Sequence, residues 1–249
     1  MYKKIKTKIL NYSRYIFELN SKNYLKQKFE LWDELNNYLD RTSSTGCNYT
    51  DYAEIHKHVI KYKPKEILEC GTGVSTIVLA HALKENNKGG RITSLESEYK
   101  YLEQAQKLLP SKLSQYVEMI YSPVVEDSFS LFRGCRYRDI PSRKYDFIFV
   151  DGPSYVAPSD GTIAFDIDCL NIIKESIDPV YAIIDKRVST CYVLQKVLGK
   201  EKVKYNPYKH LGYVGPCTKN DVKHFSATKP SEAFNDSFKL MGKSLLKLK

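Results

Sequence analysis

Ile67-Leu68-Glu69-Cys70-Gly71-Thr72-Gly73-Val74-Ser75-Thr76 runs from an apolar stretch of strand length, through two glycines, into a helical pattern that continues to Leu83. Glycines let the backbone turn sharply and come close to a ligand, and a helix start offers free N–H groups. The dinucleotide fingerprint needs a third glycine, and Thr76 stands in its place. Glu69, closing the strand, would repel a pyrophosphate and attract a cation. The loop therefore favours a cationic, phosphate-free ligand over a nicotinamide dinucleotide.

Outward from this loop, strand-like runs recur at Glu66 to Cys70, Arg91 to Leu95, Tyr116 to Tyr121, Tyr145 to Val150 and Tyr181 to Ile184, mostly separated by helical stretches. This β–α alternation predicts an α/β fold, a doubly wound, mostly parallel sheet with flanking helices. Each run ends in a polar or small residue, namely Gly71, Glu96, Ser122, Asp151 and Asp185. Carboxyl ends of parallel strands form the ligand crevice of such sheets, so these residues are expected on one rim. Further closing strands are expected at Lys202 to Tyr205 and Val222 to Ala227. Residues 1–45 read as a basic helical N-terminal extension, 46–228 as the catalytic domain and 229–249 as a basic C-terminal tail with a short amphipathic helix.

Three motifs carry a resemblance. ILECGTG (67–73) resembles the first motif of class I S-adenosylmethionine-dependent methyltransferases, LESEYKYLEQAQKLL (95–109) their second-strand segment, and YDFIFVDGPS (145–154) their fourth-strand motif. The likeness spans roughly Tyr52 to Leu198. It implies a Rossmann-like fold with S-adenosylmethionine as cofactor. Gly71 and Gly73 would pass close to its methionine part, Glu69 would face its amino group directly or through water, and Glu96 would clamp the ribose. Ser75 and Thr76 would bond its carboxylate or cap the helix, and Ser122 with the residues to Asp127 would stand beside the adenine.

Methyl transfer is an in-line displacement that needs an aligned nucleophile and often a base. In this family the acceptor meets the methyl group near the fourth-strand end, which makes Asp151 the first candidate for catalysis. Asp185 is expected one strand away, and the pair resembles the carboxylates of metal-dependent O-methyltransferases, where a divalent ion such as magnesium lowers the acceptor pKa. That pattern has an amide directly after the second aspartate; here Lys186 follows, and an ammonium is no ligand for Mg²⁺. The alternative is that Asp151 acts as base or orienting group while Lys186 or Arg187 holds an anionic part of the substrate. Asp160, Asp166 and Asp168 read equally as further metal ligands or as helix-start carboxylates, and His56, His58 and His81 as minor candidates for a base.

The expected activity is O-methylation of a small-molecule or sugar/glycan hydroxyl. Alternatives are a nucleic-acid methyltransferase, for which no RNA-binding module is recognisable, and a non-catalytic, membrane-associated binding protein that keeps the fold. The N/D-P-P-Y signature of amino-methylating nucleic-acid enzymes is absent. A net charge of +10 over 249 residues suits an anionic partner or membrane contact by the basic termini, although an AT-rich codon bias also produces it. Six scattered cysteines without a C-x-x-C pair suggest neither zinc site nor disulfide framework. Asn11, Ser13, Arg14 and Glu18 interrupt any leader-like apolar stretch, so the expectation is a soluble, cytoplasmic protein.

Overall fold

The computed structural model describes residues 2–42, 47–154 and 156–223. In chain order the elements are α1 (Tyr2–Lys26), α2 (Phe29–Leu39), α3 (Tyr49–Tyr62), β1 (Glu66–Cys70), α4 (Val74–Asn86), β2 (Arg91–Glu96), α5 (Tyr99–Leu108), β3 (Val117–Tyr121), β4 (Val124–Phe129), β5 (Phe132–Tyr137), β6 (Phe147–Val150), β7 (Phe165–Asp166), α6 (Asp168–Glu175), β8 (Val180–Asp185), α7 (Val188–Leu198), β9 (Val203–Asn206) and β10 (Leu211–Cys217). Seven strands form one sheet in the order β3-β2-β1-β6-β8-β10-β9. All neighbours pair in parallel except β10, which runs antiparallel to both β8 and β9. The fold is thus the Rossmann-like α/β arrangement, with its topological switch point between β1 and β6.

Consecutive strand residues face opposite sides of the sheet, and both sides are covered. Leu68, Ile148, Ala182 and Ile184 enter one core with α6 and α7 residues such as Leu170 and Leu194. Ile67, Phe147, Phe149 and Ile183 enter the other, against α3 and α4. This double burial explains why Phe147-Ile148-Phe149-Val150 is apolar without interruption. Leu25 of α1 and Leu31, Leu35 and Tyr38 of α2 join the second core. The carboxylate of Glu18 accepts the Tyr49 and Thr50 N–H groups, at 2.8 and 2.9 Å, and so satisfies the start of α3.

Two elements differ from expectation. The second closing strand is Leu211–Cys217, not Val222 to Ala227: Val222 lies outside any strand, and the remainder of that stretch beyond Lys223 lies outside the described residues, as do residues 43–46 and the expected tail helix. Gly212, Gly215 and Pro216 punctuate β10 and conceal its periodicity. The segment from Val124, expected beside the adenine, instead forms a β4–β5 hairpin that extends through β7 into a separate three-stranded sheet.

Register aligns the rim. Glu69 sits opposite Ser94 of β2 and Phe149 of β6, and Val150 opposite Cys70 and Ile184, so Asp151 and Asp185 emerge side by side. The β1 and β6 loops then touch backbone to backbone. Asp151 and Gly152 both donate N–H bonds to the Cys70 carbonyl, at 2.8 and 2.5 Å. Gly71 has φ +100°, and a Cβ there would lie 2.9 Å from the Gly152 nitrogen. Both the conformation and the space therefore require glycine. Gly71→Ala is expected to lower unfolding free energy by about 1–3 kcal/mol in urea titration, and a loss under half a kilocalorie would contradict this packing role.

Candidate active site

Glu69 is wholly buried at the head of the glycine loop. Its Oε2 accepts hydrogen bonds from Thr76 Oγ1 and Ser94 Oγ, each at 2.6 Å, while Oε1 has no partner. Burial pushes its carboxyl up to about 7, against the opposing pull of Ser75, Ser94 and Thr76. Thr76, one turn into α4, also accepts the Gly73 N–H at 3.1 Å. Its hydroxyl is thus committed to the loop and to Glu69, so the expected bond to a cofactor carboxylate gives way to a supporting role. Ser122 is likewise engaged inside the protein: its buried Oγ accepts the Asp139 N–H at 2.8 Å.

Glu96, at the end of β2, turns Oε1 onto the N–H groups of Ser97 and Glu98, at 2.7 and 2.9 Å. Burial raises its pKa. Beside it Tyr121, its register partner on β3, stacks on Tyr99 with 3.7 Å between ring centroids. Tyr38, from α2, has its phenol raised by burial and by the negative fields of Glu69 and Glu96. An α2 side chain thus lies within the field of both rim carboxylates, which the sequence reading missed.

Asp151, Asp185 and Lys186 do come together. Asp185 is pushed up to about 9 by burial and by Asp51 and Asp151, with which it shares a hydrogen bond. Lys186 Nζ stands 3.5 Å from Asp185 Oδ2 and 3.7 Å from Asp51 Oδ2. Burial opposes its charge, yet Asp185 and Asp51 hold its pKa above the usual value. Asp51 was also missed. It is buried at the start of α3, its Oδ2 caps the Asn48 N–H, its Oδ1 has no partner, and burial raises it to about 7. Cys47, the second newcomer, donates its thiol to Asp151 Oδ2 at 3.1 Å. Capping residues are common at helix starts, so nothing in the string Asn48-Tyr49-Thr50-Asp51 marks a rim residue.

The remaining candidates lie elsewhere. Arg187 donates to the Pro153 and Asp151 carbonyls, at 2.6 and 2.5 Å, and rivets the β6 loop rather than facing an anionic ligand. Asp160 pairs with Arg133 on the hairpin. Asp168 accepts the Tyr137 N–H at 3.1 Å, and Asp166 is buried, with burial raising it to about 7. Tyr24 bonds His56 at 2.9 Å, His58 stacks on Phe147, and His81 pairs with Glu34, so all three are packing or bridging residues.

The ligand atoms of Cys47, Asp151 and Asp185 lie within 4.8 Å of one another, the one such group among the described residues. They do not fit magnesium. Mg²⁺ demands oxygen ligands, whereas here one of the three ligands is the Cys47 sulfur, and the Lys186 ammonium already stands 3.5 Å from Asp185 Oδ2. The lysine supplies the positive charge that a metal would bring.

The residues behind Lys186 line a cavity of about 270 Å³, formed by Arg14 and Tyr15 of α1, Asn48, Thr50, Lys209 and His210 among others. It adjoins the carboxylate group, because the His210 carbonyl accepts the Lys186 N–H at 3.0 Å and Asn48 and Thr50 flank Asp51.

Residues 68–168, from β1 to the start of α6, match the family model of a methyltransferase domain. This segment is similar to that methyltransferase domain. Curated protein sequences yield no match to the chain. Similar solved structures include a methyltransferase from Geobacter sulfurreducens, at 12% identity and TM-score 0.47, covering 75% of this chain and 90% of that one. A putative O-methyltransferase from Klebsiella pneumoniae has 17% identity and TM-score 0.44, covering 78% and 96%. An O-methyltransferase from Bacillus cereus, in complex with SAH, has 18% identity and TM-score 0.40, covering 76% and 74%. The matched segment contains the end of β1 and all of β2 and β6, the central strands of the Rossmann-like sheet.

Glu69 supplies a prediction with a definite sign. A carboxyl whose folded pKa is raised from about 4.5 to about 7 stabilises the fold fully below the lower value and loses that contribution as pH rises through the upper one. Glu69→Gln is therefore expected to melt at a higher temperature than the parent at pH 8 and at a similar temperature near pH 4.5, in the absence of ligand. A constant difference across that range would contradict the raised pKa.

Proposed function

We propose that this methyltransferase moves the methyl group of S-adenosylmethionine to a hydroxyl of a small, polar acceptor such as a sugar or glycan precursor. The observation that carries the reading is the orphaned Glu69 Oε1, a buried acceptor at the head of a glycine loop lacking the third glycine of a dinucleotide site. Such an atom fits an ammonium, directly or through one water. A cation there also favours the ionised carboxylate, offsetting the burial that holds its proton. Gly71 and Gly73 keep side chains out of the path, and Glu96 offers its carboxylate to ribose hydroxyls.

S-adenosylmethionine, when bound, supplies a methyl group on an electron-poor sulfonium. The chain's own residues position the nucleophile and take its proton. Asp151 is the base that receives the hydroxyl proton, displacing the Cys47 thiol that it now engages. Asp185 keeps its own proton and orients Asp151 through their shared hydrogen bond. Lys186, between Asp185 and Asp51, stabilises the developing negative charge on the acceptor oxygen. The cavity between α1 and the 206–210 turn holds the acceptor, whose hydroxyls meet Tyr15, Asn48 and Thr50, while Arg14 suits an anionic substituent.

Calorimetry is expected to give binding of S-adenosylmethionine and S-adenosylhomocysteine but not NAD, with affinity rising from pH 6 to 8 as Glu69 ionises; binding of NAD alone would overturn the assignment. Glu96→Ala should weaken S-adenosylhomocysteine about ten-fold or more, a charged hydrogen bond being worth about 1.5–3 kcal/mol. With an acceptor in hand, Asp151→Asn should lower kcat by about 100-fold or more. EDTA should leave turnover unchanged, and restoration by Mg²⁺ after chelation would refute the role given to Lys186.

A further inference from the structure

α1 is apolar on two sides. One side packs on the domain: Leu25 and Ser21 are buried, Tyr24 bonds His56, and Glu18 bonds the start of α3. On the opposite side Ile9, Tyr12, Ile16 and Leu19 recur at three- and four-residue steps, and Ile9, Tyr12 and Leu19 are 57%, 68% and 42% exposed, with Tyr15 beside them at 62%. A helix that only covers a core would present polar residues there. Contiguous exposed apolar stripes of this kind mark interaction surfaces.

Charge selects the occupant. The α1 sequence carries seven lysines and arginines, with Glu18 as its one acid, and that carboxylate is turned inward onto α3. Lys8 and Lys26, both exposed, lie on the same helical stripe as Tyr12 and Leu19, whereas Lys22 turns its ammonium over the Tyr49 ring, 4.9 Å from its centroid. A second α1 laid on this face would set cation against cation, whereas an anionic lipid headgroup layer complements it. Among the described residues no helix is long and apolar enough to cross a bilayer.

We propose that α1 lies in the plane of an anionic membrane surface, with Ile9, Tyr12, Ile16 and Leu19 in the headgroup–acyl boundary and Lys8 and Lys26 on lipid phosphates. This posture is independent of the methyl-transfer reading. Because Arg14 and Tyr15 also line the cavity beside Lys186, it brings the opening of that cavity close to the lipid surface.

The test is flotation of the full chain with vesicles of phosphatidylcholine alone and of phosphatidylcholine mixed with phosphatidylglycerol. The parent should float with the mixed vesicles, not with the neutral ones, and release at high salt. Ile9→Ser/Leu19→Ser, at exposed positions where folding is not at stake, should reduce the bound fraction about ten-fold, and Lys8→Glu should reduce it on mixed vesicles. Absence of flotation with the mixed vesicles, or equal flotation of the parent and the double variant, would overturn the proposal. So would a dimer in size-exclusion chromatography that the double variant dissolves, since the face would then belong to a second copy.

Discussion

The close approach of two loop backbones, Gly71 after β1 and Gly152 after β6, is the constraint on which the site depends. With no side chain on either residue, the Cys70 carbonyl can accept both the Asp151 and Gly152 N–H groups. That contact draws the Asp151 loop against the glycine loop and sets Asp151 beside the crevice headed by Glu69. Arg187 holds the same loop from its far side through the Asp151 and Pro153 carbonyls. A β-carbon at either glycine would open the gap, and the distance between the two carboxylates would change with it.

Around this contact the protein gathers carboxylates that burial penalises. Glu69, Asp51 and Asp185 are all pushed well above the ordinary carboxylate range, chiefly because little solvent reaches them. Unpaired buried charge is costly, so such a cluster persists only with internal partners or with ligands that complete it. Thr76 and Ser94 satisfy half of Glu69, and Lys186 stands between Asp51 and Asp185. One oxygen of each carboxyl stays without a hydrogen-bond partner, Glu69 Oε1, Asp51 Oδ1 and Asp185 Oδ1, and of the three Glu69 has no cationic side chain beside it among the described residues. The two halves of the rim thus differ in chemistry: one lacks a cation, and the other carries its own.

Much of this was legible locally. Strand runs ending in Glu69, Glu96, Asp151 and Asp185 could be read because burial on both faces leaves continuous apolar segments, and the polar residue after each marks the rim. The hairpin of β4 and β5 was not legible, since neither Val124-Val125-Glu126-Asp127-Ser128-Phe129 nor Phe132-Arg133-Gly134-Cys135-Arg136-Tyr137 keeps the period-two alternation that marks a strand. Strand β10 was hidden by Gly212, Gly215 and Pro216. Asp51 and Cys47 were missed for a different reason: they precede the glycine loop in sequence, in a segment that looks like an ordinary helix cap, and reach Asp151 and Lys186 only because α3 packs across the sheet.

By itself the sequence determined the alternation of elements, the parallel sheet and the identity of the four strand-end carboxylates, because strand periodicity, glycine and chain direction act over a few residues. Only the tertiary structure decided which groups share a field. The proton on Asp185, the position of Lys186 between two aspartates, the withdrawal of Thr76 and Ser122 into internal bonds and the exposed second face of α1 all arise from contacts between segments distant in the chain. Burial and Coulomb interactions depend on distance in space, and the order of residues does not encode that distance until the chain has folded.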